Sequence, residues 1–329
     1  MNDRRSFLKS MTALTSALMI PKLDLSGRPF IKSDKWGELL PTRLFGRTGK
    51  EVTMLGIGGA HVGRSTEKVA QEIIEKAMEG GVRFFDNAES YQSGQAERYY
   101  GKFLVPKYRE EAFIMTKSTG KDRKTAQAHM EGSLRRMKVD YIDLWQIHSI
   151  RNPKDVDDRI ANGVLDLAIE AKESGKVKHI GFTGHNTYLA HQRMLESTDV
   201  LETCQMPINM FDPNYKSFIR NVLPTLAERN FGVIAMKTLS NGGFFGGTQH
   251  FNHGDQRKII PEKATIQEAI HFVWSLPVSV LVTGAESAAM LQEKIDLAKS
   301  FVSIEEEKRE ELIARVSDFD GSKVEYYKN

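Results

Sequence analysis

Four side chains of the types that transfer protons follow one another along the chain: Asp86, Tyr91, Lys117 and His148. Proteins use carboxylate, phenol, ammonium and imidazole groups for acid–base chemistry. Asp86, Lys117 and His148 each close a short apolar run typical of a β-strand, and Tyr91 follows the first of these runs. Unpaired charge at the end of a buried strand is costly, so we expect the four groups to form hydrogen bonds and ion pairs with one another at one site.

The elements that must position these residues alternate between apolar runs and amphipathic stretches of helical period. Eight runs are predicted to be strands, at residues 52–57, 82–85, 112–116, 141–148, 179–183, 204–208, 232–236 and 278–282. Strands that alternate with helices imply a parallel sheet, and eight such units in about 250–290 residues fit a closed barrel. The sequence therefore predicts an α/β protein, a (β/α)8 barrel with its site at the C-terminal strand ends.

An open, doubly wound sheet is the competing fold. Its fingerprint is a Gly-x-Gly-x-x-Gly turn after the first strand. This chain has Gly56 and Gly58, but His61 stands where the third glycine belongs. The barrel is therefore the favoured fold.

The overall composition excludes several classes of site. The formal net charge is +3 over 329 residues, with basic and acidic residues interspersed, which is unlike a nucleic-acid-binding surface. Cys204 is the only cysteine, so an intramolecular disulfide and a cysteine-rich metal centre are both excluded. We expect Cys204 to be a small buried apolar residue.

The N-terminus resembles a twin-arginine export signal. Arg4 and Arg5 precede an apolar run at residues 11–20, which is too short to span a bilayer as a helix but suits a signal sequence. We therefore expect residues 1–30 to be a signal-like segment and linker, and residues 31–329 to be the barrel. The expected location of the protein is the periplasm, or the cytoplasm if the segment is only a basic terminus. We do not expect the protein to insert stably into a membrane.

Three motifs resemble the aldo-keto reductase family. They are FDNAESY at residues 85–91, TKS at residues 116–118 and DYIDLWQIH at residues 140–148. The segment RLFGRTG at residues 43–49 is also similar to the N-terminal β-hairpin of that family, and the resemblance extends over residues 41–301. It implies an NAD(P)-dependent barrel that interconverts a carbonyl and an alcohol.

The resemblance also assigns the four polar residues to a catalytic tetrad. Tyr91 would donate a proton to the carbonyl oxygen after hydride transfer. An ordinary phenol pKa of about 10 is too high for efficient proton donation at neutral pH. Lys117 would lower that pKa, and Asp86 would hold Lys117 charged and in place. His148 would orient the carbonyl oxygen and stabilise the charge that develops on it.

The resemblance implies nicotinamide contacts at the ends of later strands. Asn186 and Gln205 stand where the family hydrogen-bonds the carboxamide group. His185 stands where the family often has serine, and Met236 replaces the aromatic ring that many members stack on the nicotinamide.

A turn after the last strand is similar to the family's phosphate-binding turn, and it contains Gly284, Ala285 and Ser287. Met290 replaces an arginine that commonly binds a 2′-phosphate, and Lys294 stands where a polar residue such as asparagine is usual. NADP is the cofactor that the resemblance favours, and NAD remains open.

The expected ligand is a small carbonyl compound, polar or sugar-like, because the loop at residues 59–63 lacks a bulky aromatic wall. The alternative is a dinucleotide-binding sensor or partner subunit on the same barrel with little turnover, and a metal-dependent hydrolase is a more distant one. The long loop at residues 238–261 is longer than a connector needs, and both a lid that holds substrate or cofactor and a plain mobile loop remain open. Its His250 and His253 are not expected to bind metal. The oligomeric state is open, with a monomer favoured.

Overall fold

The computed structural model describes residues 32–245 and 263–329. The twin-arginine-like segment lies outside the described residues, as do His250 and His253 of the long loop. The predictions made for these residues therefore stay predictions.

Two short antiparallel hairpins precede the barrel. In the first, β1 (Ser33–Asp34) pairs with β2 (Gly37–Glu38), and in the second, β3 (Thr42–Leu44) pairs with β4 (Glu51–Thr53). The second is the N-terminal hairpin that the sequence predicted.

Eight parallel strands then form a closed barrel, as predicted, in which neighbours along the chain are neighbours in space and the last strand pairs with the first. These strands are β5 (Leu55–Gly58), β6 (Phe84–Asp86), β7 (Phe113–Ser118), β8 (Ile142–Ile147), β9 (Val177–Thr183), β10 (Thr203–Pro207), β11 (Gly232–Met236) and β12 (Val280–Thr283).

One predicted strand is wrong in its extent. Residues 52–57 do not form a single strand, because β4 ends at Thr53 and β5 begins at Leu55. Between them, the amide of Met54 donates to the carbonyl of Pro41 at 2.9 Å, and the carbonyl of Met54 accepts from the amide of Leu281 at 2.9 Å. The chain changes hydrogen-bonding partners here without a break in its apolar run, so hydrophobicity could not reveal the boundary.

The helices flank the barrel strands, as the alternation of apolar runs and amphipathic stretches predicted. They are α1 (Gly59–Arg64), α2 (Glu67–Glu79), α3 (Gln95–Tyr99), α4 (Val105–Tyr108), α5 (Arg123–Met137), α6 (Pro153–Ala161), α7 (Val164–Glu173), α8 (Tyr188–Ser197), α9 (Phe218–Asn221), α10 (Leu223–Glu228), α11 (Ile266–Trp274), α12 (Ala288–Lys299), α13 (Glu306–Arg315) and α14 (Gly321–Val324). Side-chain caps fix the N-termini of several helices, among them α11, where Thr265 and Glu268 form a capping box.

Phe45 closes the N-terminal end of the barrel. It is fully buried and meets Phe84 and Phe113 edge to face, with ring centroids 5.8 and 5.7 Å away. Phe84 and Phe113 are the first residues of β6 and β7. The aromatic contacts therefore fix this end of the two strands whose opposite ends carry the candidate catalytic residues.

The C-terminal segment is held by a buried ionic network. The ammonium of Lys328 donates to Asp212 at 2.6 Å and to Glu325 at 2.7 Å, and all three side chains are inaccessible to solvent. The hydroxyl of Tyr327 donates to the carboxylate of Glu325 at 2.8 Å, and the amide of Asn209 donates to Tyr327 at 3.1 Å. These contacts hold the end of the chain close to β10 and β11.

Within residues 32–245 and 263–329, no helix is long and apolar enough to cross a membrane. In the same ranges, no three side chains of His, Cys, Asp or Glu are grouped as ligands for a metal ion. Cys204 is buried in β10, as predicted.

Candidate active site

The four residues of the predicted tetrad meet at the C-terminal ends of three adjacent barrel strands. Asp86 is the last residue of β6, Lys117 is the last but one of β7, and His148 directly follows β8. Tyr91 begins a short 3₁₀ turn after β6. The pairing of β6 with β7 and of β7 with β8 therefore brings the four side chains together.

A buried ion pair lies at the centre of this group. The Lys117 ammonium donates to the carboxylate of Asp86, to the carbonyl of Asn87 at 2.6 Å and to the hydroxyl of Tyr91 at 3.3 Å. Lys117 is 1% exposed and Asp86 is 3% exposed. Burial acts to lower the pKa of Lys117, but the charge of Asp86 and the contact with Tyr91 outweigh it, so that the pKa is raised. Lys117 is therefore charged across the physiological pH range.

The loop that carries Tyr91 is tied to the neighbouring strand β7. The carboxylate of Glu89 accepts from the amide and the hydroxyl of Thr119, at 2.9 and 2.6 Å, and the amide of Glu89 donates to the carbonyl of Lys117 at 3.3 Å. The turn then passes through the left-handed region at Gln92 (φ 47°) and Ser93 (φ 53°). Tyr91 is held beside Lys117 by these contacts.

Two opposed effects act on the Tyr91 phenol. Burial raises the pKa of Tyr91 above its ordinary value of 10, and the charge of Lys117 opposes that rise. The prediction that Lys117 lowers this pKa is therefore correct in sign for Lys117 alone, but burial has the larger effect. Tyr91 is protonated at neutral pH, which is the form that a proton donor needs.

His148 faces Tyr91 as a neutral imidazole. The two rings meet edge to face, with centroids 5.9 Å apart. Burial is the main reason that the pKa of His148 lies well below 6.5, and the charge of Lys117 adds to it. The backbone of His148 is fixed by Ser118 and Arg159, and its Nδ1 atom is buried without a hydrogen-bond partner in the described part of the chain.

A cavity of about 190 Å³ lies beside the tetrad, and Asp86 and Tyr91 form part of its wall. Five residues predicted to contact the cofactor also line it: Gln205, Met236, Gly284, Ala285 and Lys294. The side chain of Gln205 hydrogen-bonds Asp86, and its Oε1 atom is buried without a partner in the described structure. An unpaired amide oxygen at this position fits the N–H groups of a nicotinamide carboxamide.

The turn after β12 approaches helix α1 closely. A Cβ atom at Gly284 would lie 2.1 Å from Nδ1 of His61, so a larger residue here would displace the His61 ring. Ser287 caps α12, because its side chain accepts from the amide of Met290 at 3.2 Å. Lys294 is buried, and its ammonium donates to the carbonyl of Met290 at 3.2 Å.

The remaining predicted contacts, His185 and Asn186, follow β9 and, like Ser287, do not form part of the cavity wall. Both are half-buried, and the His185 ring lies 6.4 Å from that of Tyr327. Burial, with a contribution from Lys237, lowers the pKa of His185 to about 3. His185 is therefore neutral.

Sequence analysis did not assign Lys237 or Thr283 to the site, although both line the cavity. Lys237 directly follows β11, and Thr283 is the last residue of β12. That placement is the signal that could have found them, because loops at this end of a barrel build its active site.

The family model for the aldo/keto reductase family matches residues 54–316. An uncharacterised oxidoreductase of Bacillus subtilis, YrpG, is 30% identical over 228 residues, 61% of this chain and 67% of its own. L-glyceraldehyde 3-phosphate reductase of Escherichia coli is 25% identical over 231 residues, 64% of each chain. The chain spans about 61–67% of the length of the first curated relatives that it matches.

The fold has close counterparts among solved structures. The aldo-keto reductase AKR11C1 of Bacillus halodurans, in its holo form, superposes with a TM-score of 0.70 at 20% identity, over 84% of this chain and 96% of that one. That likeness concerns the fold alone, whereas the family model covers most of the sequence. The chain belongs to the aldo/keto reductase family.

Proposed function

We propose that this protein is an NAD(P)-dependent oxidoreductase that transfers a hydride between a nicotinamide cofactor and a small, polar carbonyl or alcohol. The observation that carries this proposal is the hydrogen-bonded series Asp86–Lys117–Tyr91 beside a cavity. It provides a protonated phenol with a fixed positive charge behind it. Such a phenol suits the protonation of an oxygen that gains negative charge.

The cofactor would supply the hydride to the carbonyl carbon. Gln205 would hold the carboxamide of the nicotinamide through its unpaired Oε1 atom, and Met236 would pack against the ring. The hydroxyl of Tyr91 gives its proton to the substrate oxygen, and the resulting phenolate is stabilised by Lys117 at 3.3 Å. His148, as a neutral imidazole, orients that oxygen.

The wall and the family relatives support a small, polar substrate. Gly58 and Ala60 line the cavity and bring no bulky aromatic side chain to its wall. The E. coli relative is an L-glyceraldehyde 3-phosphate reductase, which favours short, hydroxylated aldehydes as the substrate class to test first.

Both dinucleotides are proposed as cofactors, with NADP the usual one for the family. Lys294 and Glu286 line the same cavity, and one carboxylate oxygen of Glu286 is buried without a partner in the described structure. A carboxylate favours the ribose hydroxyl groups of NAD and disfavours a 2′-phosphate, whereas the ammonium of Lys294 has the opposite effect. The two effects oppose each other, so the discrimination is expected to be modest.

The periplasm is the proposed location, on the basis of Arg4 and Arg5 and the apolar run that follows them. Replacing both arginines with lysine is expected to keep the protein in the cytoplasm, because the twin-arginine pathway reads that pair. Cell fractionation with immunoblotting measures this, and a variant that is exported as well as the unmodified protein would remove the signal assignment.

Replacing Lys117 with methionine is expected to raise the pKa of Tyr91 further, because Lys117 alone opposes the effect of burial. The alcohol-oxidation rate requires the Tyr91 phenolate as base, so its rise with pH should move to higher pH, and carbonyl reduction should fall by about 10²–10⁴-fold. The readout is kcat/KM against pH in both directions.

Two controls accompany the Lys117 variant. Lys121→Met changes an exposed lysine just after β7 and should leave both profiles unchanged. Asp86→Asn combined with Lys117→Met removes both members of the buried pair, which keeps the fold free of an unpaired carboxylate. An oxidation profile that does not move in a folded Lys117 variant would contradict the role given to Lys117.

Replacing Tyr91 with phenylalanine is expected to lower the reduction of glyceraldehyde by about 10²–10⁴-fold, the usual effect of losing a general acid. NADPH and NADH should still bind, with dissociation constants within about a thousandfold of each other, since charge-assisted hydrogen bonds contribute about 1.5–3 kcal/mol each. Stopped-flow turnover and fluorescence titration measure these quantities. Turnover by the Tyr91→Phe variant close to that of the unmodified enzyme would overturn the mechanism.

The unmodified protein tests the alternative function. If it binds the dinucleotide tightly but turns over every carbonyl slowly, a dinucleotide sensor would be favoured.

A further inference from the structure

Tyr100 is a buried tyrosine that contacts the end of strand β6. Its side chain is inaccessible to solvent, and its hydroxyl donates to the backbone carbonyl of Asp86 at 3.0 Å. Its ring also meets the ring of Phe85 edge to face, with the ring centroids 5.7 Å apart. Tyr100 does not line the cavity, so any effect that it has on the reaction must pass through the end of β6.

The hydroxyl of Tyr100 is a secure donor. Burial is the main reason that the pKa of Tyr100 lies well above 10, and the negative charge of Asp86 raises it further. The phenol therefore keeps its proton at neutral pH. A buried hydroxyl is costly without a hydrogen-bond partner, and the carbonyl of Asp86 provides that partner.

The helix that carries Tyr100 widens at this residue. Tyr100 begins a π-helical turn (Tyr100–Leu104) that continues α3 and leads into α4. Such turns within longer helices are frequent at functional sites. The next residue is Gly101, where a Cβ atom would lie 2.3 Å from the carbonyl oxygen of Arg136 in α5. Glycine thus lets the turn pack directly on the backbone of α5, which fixes the position of Tyr100.

The same helical segment also contacts the strand that carries Lys117. Glu97 precedes Tyr100 by three residues, so the two side chains lie on one side of the helix. The fully buried carboxylate of Glu97 accepts from the hydroxyl of Thr116 at 2.6 Å and from the guanidinium of Arg136 at 2.6 Å. Thr116 directly precedes Lys117 in β7. One helical segment therefore holds both strands that supply the buried ion pair.

The carbonyl of Asp86 belongs to the peptide group that leads to Asn87. A peptide group is planar, so a contact that fixes the direction of this carbonyl also fixes where the backbone of Asn87 begins. The Lys117 ammonium donates to the carboxylate of Asp86 and to the carbonyl of Asn87 at 2.6 Å. A rotation of the peptide group between Asp86 and Asn87 would displace one of these two acceptors, and with it the ammonium that lies 3.3 Å from the hydroxyl of Tyr91.

We propose that Tyr100 is a positioning residue of the active site, which acts through the carbonyl of Asp86 to hold the acceptors of Lys117 in place beside Tyr91. The inference deepens the proposed function, and its consequence for the reaction rests on that function. The position of Lys117 is itself a property of the folded protein, so it can be measured without turnover.

The test compares Tyr100→Phe with the matched control Tyr99→Phe. Tyr99 is the adjacent residue, is also buried, and also donates through its hydroxyl to a backbone carbonyl, that of Ser65 at 3.4 Å. Ser65 is not part of the tetrad. Tyr99→Phe therefore controls for the loss of a buried tyrosine hydroxyl from the same helical segment, and both variants keep the aromatic ring that packs in the core.

The first measurement is the hydrogen exchange of the Lys117 ammonium, followed by NMR in protein labelled with nitrogen-15 lysine. The resonance is assigned by its loss in Lys117→Met. In Tyr100→Phe, exchange is expected to be about fivefold faster or more, the change that the loss of one ordinary hydrogen bond produces. Tyr99→Phe is expected to behave like the unmodified protein. Unchanged exchange in Tyr100→Phe, or an equal increase in both variants, would overturn the proposal.

The second measurement is the single-turnover reduction of glyceraldehyde by NADPH. A displaced Lys117 stabilises the Tyr91 phenolate less well, so the rate with Tyr100→Phe should fall about 10- to 100-fold, while the Kd of NADPH stays the same. The pH profile of alcohol oxidation should move to higher pH, by less than in Lys117→Met. A loss of thermal stability alone would not move that profile.

A rate and a pH profile equal to those of the unmodified enzyme would overturn the positioning role of Tyr100. If the unmodified protein reduces no carbonyl compound, the proposed function fails, and the exchange measurement still decides whether Tyr100 holds Lys117 in place. The failure of the inference and the failure of the proposed function are therefore distinguishable.

Discussion

The ion pair between Lys117 and Asp86 is the interaction on which the rest of the active site depends. Both side chains are almost fully buried, so neither charge would be tolerated without the other. The pair places a positive charge 3.3 Å from the hydroxyl of Tyr91 and adds to the effects that keep His148 neutral. One electrostatic arrangement thus gives a charged ammonium, a protonated phenol and an uncharged imidazole, with the phenol in the wall of the cavity.

The barrel supplies the geometry that makes this arrangement possible. Parallel pairing puts the C-terminal ends of β6, β7 and β8 side by side, and each contributes one member of the tetrad from its end. Phe45 fixes the opposite ends of β6 and β7. The loop after β11 contributes Lys237 to the wall of the cavity.

Much of this could be predicted from the sequence, because the alternation of strands and helices and the order of the polar residues carry the topology and the tetrad. The division at Met54 could not, since an apolar run does not show where the chain changes partners. The burial of Lys328 and the role of Tyr327 were missed because they depend on contacts with Asp212 and Glu325, which the fold alone brings together. Lys237 was missed because, in the sequence, a single lysine after a strand cannot be distinguished from a lysine exposed to solvent.

The central claim is that a hydride passes from the nicotinamide directly to a carbonyl carbon while Tyr91 protonates the oxygen. The most direct measurement is a single turnover of glyceraldehyde with NADPH that carries deuterium at both C4 positions, followed by mass spectrometry and NMR of the alcohol. The account predicts one deuterium, bound to the carbon of the former carbonyl group. An alcohol without deuterium, or NADPH that binds and is not oxidised by any small carbonyl compound, would contradict it.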